Sequence, residues 1–299
     1  MKNLNYSLTV LTTSVLISVV CFGQNSGTGL QNQAPTQSST AAPANANPPT
    51  KAKKPLPQAK TQEEYGAYQA ATGLTDIAAA RAAADDFTAK FPQSELRTVL
   101  YSQLLQKYDS ANQPDNVIST GRKILAIEPE NTLALIMVST ALAQSTRESD
   151  LDRDQKYTEA IKEAQTAIQT IDTGLVSPPT LTPEQLASAK KQLISMANSS
   201  LGFVEMNRKN FGLSEQYFKE AINNQTQPDA VNYLRLALAQ DDQKKYNEAL
   251  KNVSKAIQIA ESQNNQEIAG IAKNEKDRLT KLASSAPAAK HATPAPQTR

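Results

Sequence analysis

Residues 101–129 carry the stretch that most limits this chain, YSQLLQKYDSANQPDNVISTGRKILAIEP. Tyr101, Leu104, Leu105 and Tyr108 recur three to four residues apart, which places them on one face of a helix. Ala111-Asn112-Gln113-Pro114-Asp115 breaks the pattern, and Pro114 suits the first position of a following helix. Val117, Gly121 and Ile124 mark one face of that second helix, and Pro129 closes it. A two-helix hairpin of this size cannot bury its apolar face alone, so neighbours must stack on it. The neighbours are in the sequence. Leu201-Gly202, Phe211, Ser214, Phe218 and Ala221 repeat the arrangement, and so do Tyr233, Leu236-Ala237, Tyr246, Ala249, Val253 and Ala256. A weaker copy has Leu135, Val138 and Leu142, then Tyr157, Ala160, Ala164 and Ala167. A partial one has Tyr65 and Tyr68, then Ala83 and Phe87.

The series resembles the tetratricopeptide repeat, whose pattern is a bulky residue, Leu, a small residue and Tyr in the first helix, then Ala, an aromatic and a closing Pro. Tyr101, Leu104, Tyr108 and Pro129 match, and Ser214 and Ala249 lie 35 residues apart, near the repeat period of about 34. Leu105 and Gly121 depart, because the usual small and aromatic residues are exchanged in size; Glu205 stands where Tyr is usual. The resemblance implies an all-α, right-handed α-solenoid of about five hairpins, with Gln263 to Ala283 as a C-terminal capping helix. It also implies that the first helices line a concave groove for a peptide or protein segment. By position that groove would show Ser102, Gln106 and Asp109, then Ser199, Phe203 and Met206, then Leu234, Leu238 and Asp241. Phe203/Met206 and Leu234/Leu238 would be its apolar anchors, unless a neighbouring helix covers them.

The residues outside the repeats set the address. Lys2 followed by the mostly apolar run from Leu8 to Phe22 reads as a secretory signal, with cleavage expected between Gly23 and Gln24. An uncleaved anchor or lipidation of Cys21 is the alternative. Residues 24–60 are rich in Gln, Ser, Thr, Asn, Ala and Pro and read as a disordered linker, as does the tail 284–299. The repeat domain is expected over 61–283. The net charge of +2 hides an asymmetry: Lys2, Lys51, Lys53, Lys54, Lys60, Lys290 and Arg299 lie outside that domain. Removing those seven cations leaves 62–283 at −5, which argues against nucleic acid as a partner.

Within the repeats, Thr61-Gln62-Glu63-Glu64 and Thr182-Pro183-Glu184-Gln185 read as capping boxes that restart the chain. Asp150, Asp152 and Asp154 alternate like the start of a calcium loop, but Gln155 replaces the turn Gly and Ile161 the final Glu. The single His is His291 and the single Cys is Cys21, so the repeats have no thiol or imidazole for nucleophilic catalysis or metal ligation. No catalytic residue, metal or cofactor is expected. The expected role is a non-catalytic scaffold or adaptor of the bacterial envelope, a monomer by default. A structural envelope protein whose basic N-terminal arm contacts peptidoglycan or membrane is the alternative.

Overall fold

The computed structural model describes residues 56–177 and 180–285. All of their regular structure is helical: α1 (Gln62–Thr72), α2 (Ile77–Lys90), α3 (Leu96–Ser110), α4 (Pro114–Ile127), α5 (Thr132–Ser145), α6 (Arg153–Gln169), α7 (Ile171–Gly174), α8 (Pro183–Asn207), α9 (Phe211–Asn224), α10 (Ala230–Asp242), α11 (Tyr246–Ser262) and α12 (Gln266–Ser285). The expected signal at 1–23, most of the linker and almost all of the tail lie outside the described residues.

Local chemistry explains where the helices begin. Asp76 accepts from the Ala79 amide at 2.7 Å, and Asp229 from that of Val231 at 2.9 Å. Thr182 and Gln185 form the reciprocal box as expected, at 2.9 and 3.2 Å. The first box is displaced by one residue: Thr61 accepts from Glu64 N, but the Glu64 carboxylate accepts from Lys60 N at 2.6 Å. Pro114 opens α4 with the one residue that has no amide hydrogen to leave unpaired.

The turns share one geometry. Asn112, Lys209, Lys244 and Asn264 all have positive φ, between 52° and 65°. In each case the next amide bonds back five residues, Gln113 to Tyr108, Asn210 to Glu205, Lys245 to Gln240 and Asn265 to Ala260. This is the Schellman closure, which satisfies orphan carbonyls and reverses the chain.

The described residues divide into two compact units, one of those up to Gln144 together with those from Gln165 to Lys190, the other of Ser145–Ala164 together with those from Lys191 onward. In the first, α3 packs against α1, α2 and α4. Phe87, Leu100, Tyr101, Leu104, Leu105, Tyr108, Val117 and Ile124 are buried there. Each fully buried large apolar side chain contributes about 1.5–3 kcal/mol. Asp85 ties three helices together: it accepts from Tyr101 Oη at 2.7 Å and from Lys123 Nζ at 2.6 Å. In the second unit, α10 packs against α9, α11 and α12. Phe218, Leu234, Val253 and Leu279 are buried in it.

Departures from the repeat pattern are answered by their neighbours. Ser214 replaces Ala, and its hydroxyl donates to the Gly202 carbonyl at 2.8 Å. Glu205 replaces Tyr, and its buried carboxylate accepts from Arg208 at 3.0 Å and Asn210 at 2.5 Å, holding the turn. Other expectations need correction. In the first hairpin Ala84 is buried rather than Ala83, and Tyr65 is exposed. Gly174 and the prolines after it predict no helix over Asp172 to Leu181, yet Ile171–Gly174 form one short turn, α7, whose Gly174 lies so close to the Glu130 carbonyl that a Cβ would stand 1.8 Å from it. On α12, Ile268 and Leu279 are buried, Ile271 and Leu282 are half-buried, and Glu275, a charged residue of the face expected to point outward, is buried too.

Candidate functional site

The face of α3 opposite its core residues lines a groove of about 730 Å³ in the first unit. Thr98, Val99, Ser102, Gln103, Gln106 and Lys107 form its floor. Their three-to-four spacing follows from the same helical period that buries Leu104, Leu105 and Tyr108. One side is made by Thr72, Thr75 and Ile77, between α1 and the start of α2. Another is made by Asn131, Thr132 and Leu133 at the start of α5, together with Gly174, Leu175 and Val176. The turn at Gly174 sets that wall, and Thr173 holds it by donating to Glu130 Oε2 at 2.8 Å.

The lining is mostly hydroxyl, amide and aliphatic. Several of its polar groups are already fixed. Ser102 donates to the Thr98 carbonyl at 2.7 Å, Thr98 donates to Glu128 Oε1 at 2.9 Å, and Asn131 donates to Glu128 Oε2 at 3.1 Å. Gln103 reaches the Tyr68 hydroxyl. Gln106 makes no side-chain hydrogen bond among the described residues. Such a surface can receive an uncharged extended segment, with amides for its backbone and aliphatic groups for its side chains.

The structure separates the expected groove residues. Ser102 and Gln106 line the groove. Asp109 is exposed near the end of α3 and does not line it. In the second unit the expected anchors are packing residues: Phe203, Met206 and Leu234 retain only 5%, 4% and 1% of their surface. Leu238 is half-buried. Ser199 donates to Asn232 Oδ1 at 2.7 Å. Asp241 is 8% exposed and forms an ion pair with Arg278 of α12, so it holds the final helix rather than a partner. Asp150 and Asp152 both meet Lys156 Nζ, at 3.0 and 2.9 Å, and no cluster of three or more His, Cys, Asp or Glu poised for a metal occurs among the described residues.

Sequence reasoning missed Val99, Gln103, Leu175 and Val176, because the wall that makes them a site comes from the segment after α6. It also missed Arg235, although a lone charge within the apolar run YLRLALA is a visible signal.

No family model matches the chain, and no curated protein does. Solved structures resemble the chain over 68–74% of its length. A thermophilic tetratricopeptide-repeat protein of Thermus thermophilus is 13% identical, with 74% of this chain and 99% of that one covered and a TM-score of 0.44. PilW, a type IV pilus biogenesis factor, is 18% identical over 73% and 94%, with a TM-score of 0.45. A MamA double mutant is 10% identical over 68% and 95%, with a TM-score of 0.47. At these values the likeness adds nothing to what the helices and turns already establish.

Proposed function

We propose that the chain is a non-catalytic adaptor that holds an uncharged, extended peptide or protein segment against α3. One observation carries this reading: a groove of about 730 Å³ whose floor is a single helix face, mostly of hydroxyl, amide and aliphatic side chains, with Lys107 as its one cation. The absence of His and Cys between residues 24 and 290 accords with a binding rather than a catalytic role.

A displayed peptide library selected on the full chain tests it. Selected peptides should be poor in charge, and Val99→Asp or Gln106→Arg should weaken them at least ~10-fold by placing a further charge at the middle of the groove floor. Selected peptides that bind these folded variants unchanged would locate binding elsewhere.

The setting proposed is the cell envelope, reached through the signal-like residues 1–23. Fractionation with a reporter fused after residue 285 checks that, and a reporter confined to the cytoplasm contradicts it. Among the described residues no helix is long and apolar enough to cross a membrane. A second reading rests on the lysines at 51, 53, 54 and 60, which stand in 24–61 without one acid. In that reading the arm binds an anionic envelope polymer or membrane surface, and deleting 24–60 would abolish envelope retention while leaving peptide binding intact.

A further inference from the structure

Arg235 is a buried cation whose donors the described residues do not all satisfy. It projects from α10, one turn after Asn232, toward Ser199 and Phe203, which lie one turn apart on α8. The Phe203 ring covers one face of the guanidinium, 4.4 Å from Cζ. Nη1 approaches the Ser199 hydroxyl at 3.5 Å. Nε and Nη2 are buried and have no hydrogen-bond partner among the described residues. Arg235 as a whole is 5% exposed.

The two unmet atoms lie on the same edge of the guanidinium. That edge is the fork that holds two oxygens of a carboxylate or phosphate side by side. A single neutral carbonyl oxygen can accept from both donors but leaves the charge of the guanidinium unanswered. Ser199, which Nη1 approaches, donates to Asn232 Oδ1, so Asn232 Nδ2 remains a donor near Ser199. The neighbouring carboxylate, Asp229, accepts from the Val231 amide and attracts the Arg235 charge without a hydrogen bond to either unmet atom among the described residues. Burial pushes the Asp229 carboxyl up, toward its neutral form, and burial pushes the Arg235 guanidinium down to about 10. Stacking on Phe203 accounts for the face of the guanidinium and not for its edge.

We infer that Arg235, with Asn232 and Ser199, forms a binding site for an oxyanion that presents two oxygens, a carboxylate or a phosphate. The site lies in the second unit, and its argument is independent of the groove on α3. Half-buried Ser199 marks the side from which a ligand would enter.

The test uses the full chain with 15N-labelled arginine. Inorganic phosphate and acetate are titrated separately, with chloride holding the ionic strength constant. The Arg235 Nε–H resonance should move and saturate with at least one of them. At ten times the dissociation constant the thermal midpoint should rise by roughly 3–6 °C. A response to phosphate alone or to acetate alone identifies the source of the anion. Arg235→Lys keeps the charge without the fork and should lose the response; Ser199→Ala should weaken it several-fold. The inference is overturned if neither anion gives a saturable shift in the wild type, or if R235K keeps the same thermal response. Should R235K fail to fold, the wild-type resonance and S199A decide the matter.

Discussion

Leu105 and Gly121 face each other across the α3–α4 hairpin with their sizes exchanged. Leu105 is fully buried, and a Cβ on Gly121 would stand 3.7 Å from Leu105 Cδ1 and only 2.2 Å from Val138 Cγ2 of α5. At the equivalent place in the second unit the order reverses: Gly202 meets Phe218, whose ring a Cβ would approach to 2.9 Å. Ala237 and Val253 occupy the same two positions in the next hairpin, both buried. What each hairpin keeps is the summed volume, not the residue at either place, as close packing requires.

Gly121→Ala should therefore destabilise the protein by about 1–3 kcal/mol, despite the helix propensity that Ala adds. Val138 is stiff at χ1 and cannot turn its methyl away. In a double-mutant cycle with Val138→Ala, urea unfolding should show a coupling of at least ~1 kcal/mol. Additive effects would mean the two residues do not compete for space.

Lys244→Gly should stabilise the chain by about 0.5–1 kcal/mol, because Lys244 has a φ of 60° where Gly carries no Cβ penalty. Lys244→Pro should destabilise it, since the ring cannot adopt that φ. Thermal midpoints of the two variants should move in opposite directions.

Glu215 predicts an acid-sensitive second unit. Burial pushes its carboxyl up, but hydrogen bonds from Lys219, Lys245, Gln240 and Gln243 prevail and hold it at about 2, against an ordinary 4.5. The lysine contacts are both 2.7 Å. A carboxyl depressed in this way stabilises the folded state fully above its unfolded value. That contribution is lost as pH falls from about 4.5 towards 2. Glu215→Gln should cost about 1–3 kcal/mol at pH 7, and the cost should shrink on acidification through that window. A pH-independent difference in chemical denaturation would contradict the assignment.

Arg278→Ala should release α12. Its guanidinium meets Glu275 at 2.7 Å and Asp241 on α10, two carboxylates that are 5% and 9% exposed along their side chains. Removing it strands both, at a cost of about 1–3 kcal/mol given that Arg278 itself is one-third exposed. Hydrogen exchange should rise first in α12 and the facing part of α10. Equal protection in both proteins would show that apolar contacts alone hold the helix.

Gly174→Ala should unseat the wall of the α3 groove. The added Cβ would collide with the backbone of Glu130, which cannot swing aside as a side chain could. Exchange should rise at Leu175, Val176 and Leu133, and a peptide selected on the wild type should bind at least several-fold more weakly.

The sequence by itself determined the helices, their ends and their pairing into hairpins. The reasons are local: a 3.6-residue apolar period, caps such as Asp76 and Thr182, Pro114 at a first helical position, and turns that reverse the chain within a few residues. Which surface stays open was decided by tertiary structure. Phe203 and Met206 sit on α8 with the spacing of exposed anchors and are covered, whereas Ser102 and Gln106, one turn apart on α3, are left open beside Leu175 and Val176. Asp241 finds Arg278 across 37 residues, and Arg235 finds Phe203 across 32. No local period encodes such meetings. Exposure and ion pairing depend on which neighbour stacks on a helix face, and that is a property of the assembled hairpins rather than of any one of them.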